Sequence, residues 1–322
     1  MNERFKTVIL ESAGADSITD QQMLQELWSG YGKILRVRVA GGQTGSVVVK
    51  HIQTNETKQH PRGWNTDIGH RRKLRSYKVE THWYERYSSE STARVPRCLA
   101  VDHHGDDVLI VLEDLNVSGY PLRKSEVGWK EIDRVLKWLA DFHSGFLGQT
   151  PDGLWEQGTY WHLETRPQEY KVLSDKRLKE AAPLIDQKLR SCTYKTFVHG
   201  DAKLANFCFS EQGDVAAVDF QYAGGGCGMK DVAYFIGSCL DEEECEALEQ
   251  QVLDTYFKHL QRATRGRKKA IEAEWRSLYR VAWADFHRFL KGWSPGHWKI
   301  NSYSERVTEE VISELLNEPT AP

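Results

Sequence analysis

Apolar positions recur with two different periods along this chain, and the change of period divides it. "ILRVRVA" (34–40) alternates with period two, the pattern of a half-buried strand, and "VVVKHI" (47–52) follows it across the turn "GGQTGS". "RCLAVDH" (97–103) and "DVLIVLED" (107–114) read as two further strands joined at His104-Gly105-Asp106. Between these pairs, from about Arg71 to Tyr87, the spacing of Leu74, Tyr77, Trp83 and Tyr84 is helical. Ser17-Ile-Thr-Asp20 reads as a capping box that opens a short helix through Leu24, Leu27 and Trp28. Beyond Leu115 helices take over. Over 125–147, Trp129, Ile132, Val135, Leu136, Leu139 and Phe142 fall three and four apart, an amphipathic stripe. A further helix is expected over 168–190, short strands near 196–198, 207–209 and 215–219, and helix almost throughout from Lys230.

The expected fold is α+β in two lobes. A small sheet-plus-helix lobe (1–115) precedes a larger, mainly helical one (116–322), and the short joint at Glu113–Asn116 suits a hinge. Composition narrows the class without changing this picture. With 40% hydrophobic and 28% charged residues the chain is globular, and a net charge of −3 spread over both signs leaves no footprint for nucleic acid or an anionic membrane. The one basic run, Arg265–Lys269, reads as a solvated loop. "MNERFKTVIL" lacks the apolar core of a signal peptide, and no stretch reaches the roughly 18 apolar residues of a membrane span. Six cysteines without any C-x-x-C suit free thiols in a reducing cytoplasm.

Chemistry enters at "FVHGDAKLANFCFS" (197–210). Strand-type residues stop after Val198 for His199, Gly200, Asp201, Lys203 and Asn206, then resume at Phe207. A turn accounts for the glycine. It does not account for an Asp, a Lys and an Asn set among apolar neighbours. Thirteen residues after Asn206 the strand "DVAAVDF" delivers Asp219, and the turn "EQGD" makes a hairpin whose outer ends, Asn206 and Asp219, are expected together. Two oxygen donors suit a hard cation such as Mg²⁺, which takes one or two carboxylates plus phosphate oxygens. Asp201 is placed to orient or deprotonate an attacking hydroxyl, and Lys203 to neutralise a phosphoryl group in transfer.

His199-Gly-Asp-x-x-x-x-Asn206 followed by Asp219-Phe-Gln221 resembles the catalytic and metal motifs of the aminoglycoside phosphotransferase and choline-kinase-like superfamily. "SYKVE", ending at Glu80, is most similar to the ecdysteroid-kinase-like branch. The resemblance implies a two-lobed protein-kinase-like fold with a small antiparallel sheet in the nucleotide-binding lobe. It implies ATP and Mg²⁺ as cofactors and a small-molecule hydroxyl as acceptor. It also implies site roles. Gly30 and Gly32 would form a turn approached by phosphates, and Lys50 would pair with Glu80 to reach them. The backbone from Glu113 to Leu115 would meet the adenine edge, and Asn206 and Asp219 would hold the metal. His199 would support the loop, and Asp231 would cap a helix or brace that loop.

Departures from the protein-kinase pattern point to a small acceptor. Gly200 stands where protein kinases often carry Arg, Gln221 replaces the Gly of D-F-G, and only eleven residues separate Asp219 from Asp231. That leaves no room for a long peptide-binding activation segment. Three acceptor types stay open: choline-like, amino-sugar-like and steroid-like. Trp155, Trp161, Trp275, Trp283, Trp293 and Trp298 lie near Glu156, Glu164 and Asp285, and "YRVAWADFHRFLKGWSPGHW" marks where a pocket is expected. A nucleotide-binding scaffold without chemistry and an atypical protein kinase are the competing readings. Oligomeric state is not legible.

Overall fold

A computed structural model of the chain describes residues 3–27, 30–53, 67–264 and 268–317. Helix α1 (Glu3–Ala13) comes first, then strands β1 (Ser17–Glu26), β2 (Gly32–Ala40) and β3 (Ser46–Gln53). Helix α2 (Asp67–His82) runs into a π turn (Trp83–Tyr87) and is followed by β4 (Cys98–His104) and β5 (Asp107–Glu113). Next are α3 (Trp129–Gly145), α4 (Pro167–Val172), α5 (Lys176–Arg190) and the short strands β6 (Thr196–Val198), β7 (Phe207–Phe209), β8 (Val215–Ala217) and β9 (Gly224–Gly226). Helices α6 (Met229–Ile236), α7 (Glu242–Ala263), α8 (Lys268–Trp293) and α9 (Ser302–Asn317) complete it. Trp28, most of the polar stretch 54–68 and most of the basic run at 265–269 lie outside the described residues.

Two compact units emerge: Met1–Arg123 with Cys208–Gln221, and Lys124–Phe207 with Tyr222–Pro322. Beside the expected lobes 1–115 and 116–322, the first unit also takes in residues 116–123 and Cys208–Gln221. In that unit five antiparallel strands run in the order β1-β2-β3-β5-β4. Helix α1 puts Phe5, Ile9 and Ala13 on one stripe, which packs on Leu35, Val37, Val47, Val49, Leu109 and Val111 of the sheet. Arg4 clamps this helix to β4 through two bonds to Asp102, at 2.8 and 2.6 Å. The hairpin β7–β8 forms as expected.

One expected element is overturned. Ser17–Glu26 is no helix; it is β1, paired with β2 from Ser17↔Ala40 to Glu26↔Lys33 with two register shifts. β1 is an edge strand with nearly every side chain exposed, so it lacks the inward-outward alternation that identifies strands. Pairing with β2 outweighs a local capping signal, which is a weak prior by itself.

The second unit is mostly helical. Helix α3 packs on α7, and α8 packs on α5, α6 and α9. Its small sheet pairs β6 with β9, Thr196↔Gly226 to Val198↔Gly224. Among the described residues no helix is long and apolar enough to cross a membrane.

Candidate active site

In the first unit the sheet register sets Lys50 between Ile34 of β2 and Ile110 of β5, on a strand flanked on both sides. Its side chain is buried, and Nζ lies 2.6 Å from Glu80 Oε2 on α2. Burial pushes the Glu80 carboxyl up from its ordinary range, against the pull of the Lys50 ammonium. Removing two charges from water is unfavourable unless each satisfies the other, so a buried pair is weak evidence for stability and better evidence for a cation held in place. Lys50 Nζ also stands 3.8 Å from Asp219 Oδ1. Asp219 has φ +72°, a left-handed conformation uncommon outside glycine, although Asp tolerates it better than most. Strained backbone of this kind persists where the surroundings enforce it.

Gln221 is part of what enforces it. Its Nε2 donates to Asp219 Oδ1 at 2.7 Å, while its Oε1 accepts from Lys73 Nζ at 2.8 Å and Ser76 Oγ at 3.3 Å. Phe220 stacks on Trp83 at 4.4 Å, just past α2. The residue that replaces the Gly of D-F-G thus ties Asp219 to the helix carrying Glu80. A side-chain hydrogen bond contributes about 1 kcal/mol. Gln221→Ala is therefore expected to raise KM for Mg·ATP about fivefold to tenfold and to leave acceptor KM unchanged. Steady-state kinetics in both substrates checks this, and equal changes in both constants would contradict it.

Gly30 lies between β1 and β2, and Gly32 opens β2. The turn is closed by Leu27 N–H to Gly32 C=O (2.8 Å) and Gly30 N–H to Leu27 C=O (3.1 Å). Gly32 has φ +129°, and a Cβ there would sit 2.0 Å from the His51 carbonyl oxygen. Close passage of β3 already requires this glycine. At the far end of β5, Glu113 accepts from Arg94 Nη2 (2.6 Å) and the Arg97 N–H (2.9 Å). Burial pushes its carboxyl up, yet these donors outweigh that and hold it at about 2. The Glu113 N–H is given to the Arg97 carbonyl, and the Leu115 carbonyl accepts from the Tyr120 N–H.

The second unit gathers Asp201, Lys203 and Asn206 on the loop after β6. Lys203 Nζ is 3.0 Å from Asp201 Oδ2. Asn206 Nδ2 donates to the Asp201 carbonyl (2.8 Å) and to Asp201 Oδ2 (3.1 Å). Asp231, fully buried in the first turn of α6, accepts from the His199 N–H (2.6 Å) and the Gly200 N–H (2.9 Å). It is held in turn by His143 Nε2 at 3.1 Å, whose Nδ1 meets the Tyr256 hydroxyl at 2.8 Å. Bracing the loop is the role the geometry gives Asp231. His199 is also buried, and its Nδ1 accepts from the Asp201 N–H at 3.3 Å. Gly200 has φ +78°, and a Cβ would lie 2.1 Å from the Tyr222 carbonyl oxygen, which excludes an Arg at this position.

The sequence profile of the ecdysteroid kinase-like family matches residues 31–148 and 154–268. The chain belongs to that family. It is a phosphotransferase acting on small molecules with a hydroxyl as acceptor. No curated protein matches the chain. Solved structures share its fold at low identity. A putative aminoglycoside phosphotransferase from Ralstonia eutropha JMP134 is 14% identical with a TM-score of 0.58, covering 97% of this chain and 96% of that one. Amicoumacin kinase, solved with AMP-PNP, Ca²⁺ and amicoumacin, is 14% identical with a TM-score of 0.57, covering 100% and 96%. Macrolide 2′-phosphotransferase from Brachybacterium faecium is 12% identical with a TM-score of 0.51, covering 100% of both chains. Within this ecdysteroid kinase-like chain, then, the structure brings Lys50, Glu80 and Asp219 together in one unit and Asp201, Lys203 and Asn206 in the other. The partners Gln221, Lys73 and Ser76, and the His143–Tyr256 support beneath Asp231, escaped sequence reasoning. Gln221 had been visible only as a departure from D-F-G, and His143 carried no signal beyond its place on the apolar stripe of α3.

Proposed function

We propose that this chain transfers the γ-phosphoryl group of ATP to the hydroxyl of a small alcohol, with Mg²⁺ as the working cation. The acceptor oxygen bonds to the γ-phosphorus, the bond from that phosphorus to the ADP oxygen breaks, and the hydroxyl proton passes to Asp201. One observation carries the reading: a buried Lys50–Glu80 pair aims its ammonium beside Asp219, while Asp201, Lys203 and Asn206 form one hydrogen-bonded set. A scaffold without chemistry has no use for both sets intact.

Among the described residues no three His, Cys, Asp or Glu side chains cluster as a metal site. This fits a cation held by few protein oxygens. By the motif, the residues that would hold it are Asp219, about a third exposed and fixed in a strained backbone, and Asn206 through its amide oxygen. Bound there, the metal would neutralise phosphate charge. Lys50 orients the α- and β-phosphates, Lys203 adds charge where the γ-phosphoryl departs, and Asp201 aligns the nucleophile, so catalysis is chiefly positioning and electrostatics. Gly30 and Gly32 let backbone approach the phosphates. Adenine is met by the Glu113–Leu115 backbone through atoms other than the Glu113 N–H and Leu115 carbonyl, which are already bonded. Amicoumacin kinase, with its bound AMP-PNP and Ca²⁺, supports nucleotide and divalent-cation use. Six free cysteines suit a reducing cytoplasm.

The test is ADP release from Mg·ATP with pooled small alcohols. Release that depends on one pool supports the reading. No release, together with no rise in melting temperature on adding Mg·ATP, would sink it. Saturation at about 100 times Kd adds roughly 2.7 kcal/mol, which a melt detects readily. Asp219→Ala is expected to abolish most of that Mg-dependent rise.

A further inference from the structure

Lys299 lies in the segment between α8 and α9, within the second unit. Its Nζ stands 5.1 Å from the ring centre of Tyr234, 5.3 Å from that of Trp298 and 5.6 Å from that of Phe286. Three aromatic rings around a cation form a box of the kind that recognises quaternary ammonium ligands. Here the cation in the box is the protein's own. Among the described residues Lys299 Nζ has neither a hydrogen-bond acceptor nor an ion-pair partner, and, the side chain being only partly buried, its three donors are left for solvent or a ligand.

Its position is pinned from both sides. The Lys299 N–H donates to His297 Nδ1 at 3.1 Å, and its carbonyl accepts from Ser304 Oγ at 3.1 Å. The box connects to the catalytic loop. The Tyr234 hydroxyl meets the Tyr160 hydroxyl at 3.1 Å, and the Tyr160 N–H donates to the carbonyl of Gly200, next to Asp201. Burial pushes the Lys299 ammonium down to about 8, with the attraction of Asp201 the largest influence opposing it. Trp298 is 63% exposed, so its ring is open to a ligand.

We propose that Lys299 is a specificity residue of the acceptor site, donating to an oxygen of the bound alcohol and turning away acceptors that present an ammonium there. The inference rests on the phosphotransfer reading and narrows its acceptor class. A choline-like headgroup finds the aromatic box already filled. An amino sugar brings a second positive charge to within about 5 Å of the first, a penalty of roughly a hundredfold in affinity at the effective dielectric of a partly buried site. The acceptor is then a non-cationic alcohol, neutral or anionic, with an oxygen to accept from Nζ.

The test compares ADP release from Mg·ATP with three pools: cationic (choline, kanamycin), neutral (glycerol, inositol, cholesterol) and anionic (glycerate, gluconate). Wild-type protein is expected to turn over a neutral or anionic pool. With the active acceptor, Lys299→Met should raise acceptor KM at least tenfold while KM for Mg·ATP stays within twofold, a split that loss of packing alone would not produce. Best turnover of the cationic pool, or an acceptor KM for Lys299→Met within twofold of wild type, would overturn the assignment and leave the kinase reading standing. The wild-type pool order decides even if the variant fails to fold. If wild type releases no ADP with any pool and gains no stability from Mg·ATP, the kinase reading falls and this assignment falls with it.

Discussion

Asp201→Asn is expected to lower kcat by about 10³- to 10⁴-fold while Mg·ATP still raises the melting temperature as in wild type. General-base and alignment effects account for factors of about 10² to 10⁴. The local geometry places this variant at the upper end. In the native loop both Lys203 Nζ and Asn206 Nδ2 donate to Asp201 Oδ2. An amide at 201 can keep its oxygen in that position and both bonds with it, but it puts an NH2 in place of Oδ1 and has no carboxylate left to take the hydroxyl proton. The loop itself should survive, because Asn206 keeps the backbone carbonyl of residue 201 and Asp231 keeps the His199 and Gly200 N–H groups. Saturating kinetics and a nucleotide-dependent melt separate the two effects. Turnover within tenfold of wild type would remove Asp201 from the mechanism.

Lys50→Met is expected to cost about 3–5 kcal/mol of stability and to abolish productive nucleotide binding. Methionine fills the volume of the lysine stem, so the loss is electrostatic: Glu80, 2% exposed, keeps a carboxylate without its 2.6 Å partner. The pH dependence has a definite sign. Burial already raises Glu80 in the folded state, and losing Lys50 raises it further. Above its unfolded value of about 4.5 the folded variant then binds more protons than the unfolded chain, so its stability falls as pH rises through that window and recovers in acid. Denaturant melts of Lys50→Met at pH 5 and pH 8, with the Lys50→Met/Glu80→Gln double variant, check both points. The double variant should recover part of the loss at pH 8. A single-variant loss below 1 kcal/mol, flat with pH, would show that the pair contributes little.

Chemistry was more legible in this chain than architecture, and particular residues show why. Asp201, Asn206 and Asp219 sit on one short stretch at fixed spacing, so a one-dimensional reading sees them. Lys50 and Glu80 were paired through the resemblance, since thirty residues separate them and no local pattern links the two. Strand β1 was read as a helix because an exposed edge strand shows no burial period. Helix α1 was passed over, although Phe5, Ile9 and Ala13 mark its buried stripe. The grouping of Cys208–Gln221 with the first unit was beyond a local reading. It depends on contacts between distant short segments: the antiparallel bridge Leu122↔Phe209, the Ala217 N–H to the Arg94 carbonyl at 3.1 Å, and Leu115 packed with Cys208 and Ala216. Pairings of three residues leave no periodic trace.

The bonds from Gln221 to Asp219, Lys73 and Ser76 carry a consequence for control. In kinases governed by a covalent mark on a loop, the helix bearing the phosphate-site glutamate swings between two positions. Here the helix bearing Glu80 and the segment bearing Asp219 are joined by one amide, and eleven residues after Asp219 the chain is already in α6. At about 1 kcal/mol per bond the amide biases Asp219 and the Glu80 helix toward this shared arrangement, so any switch acting here has to work against Gln221.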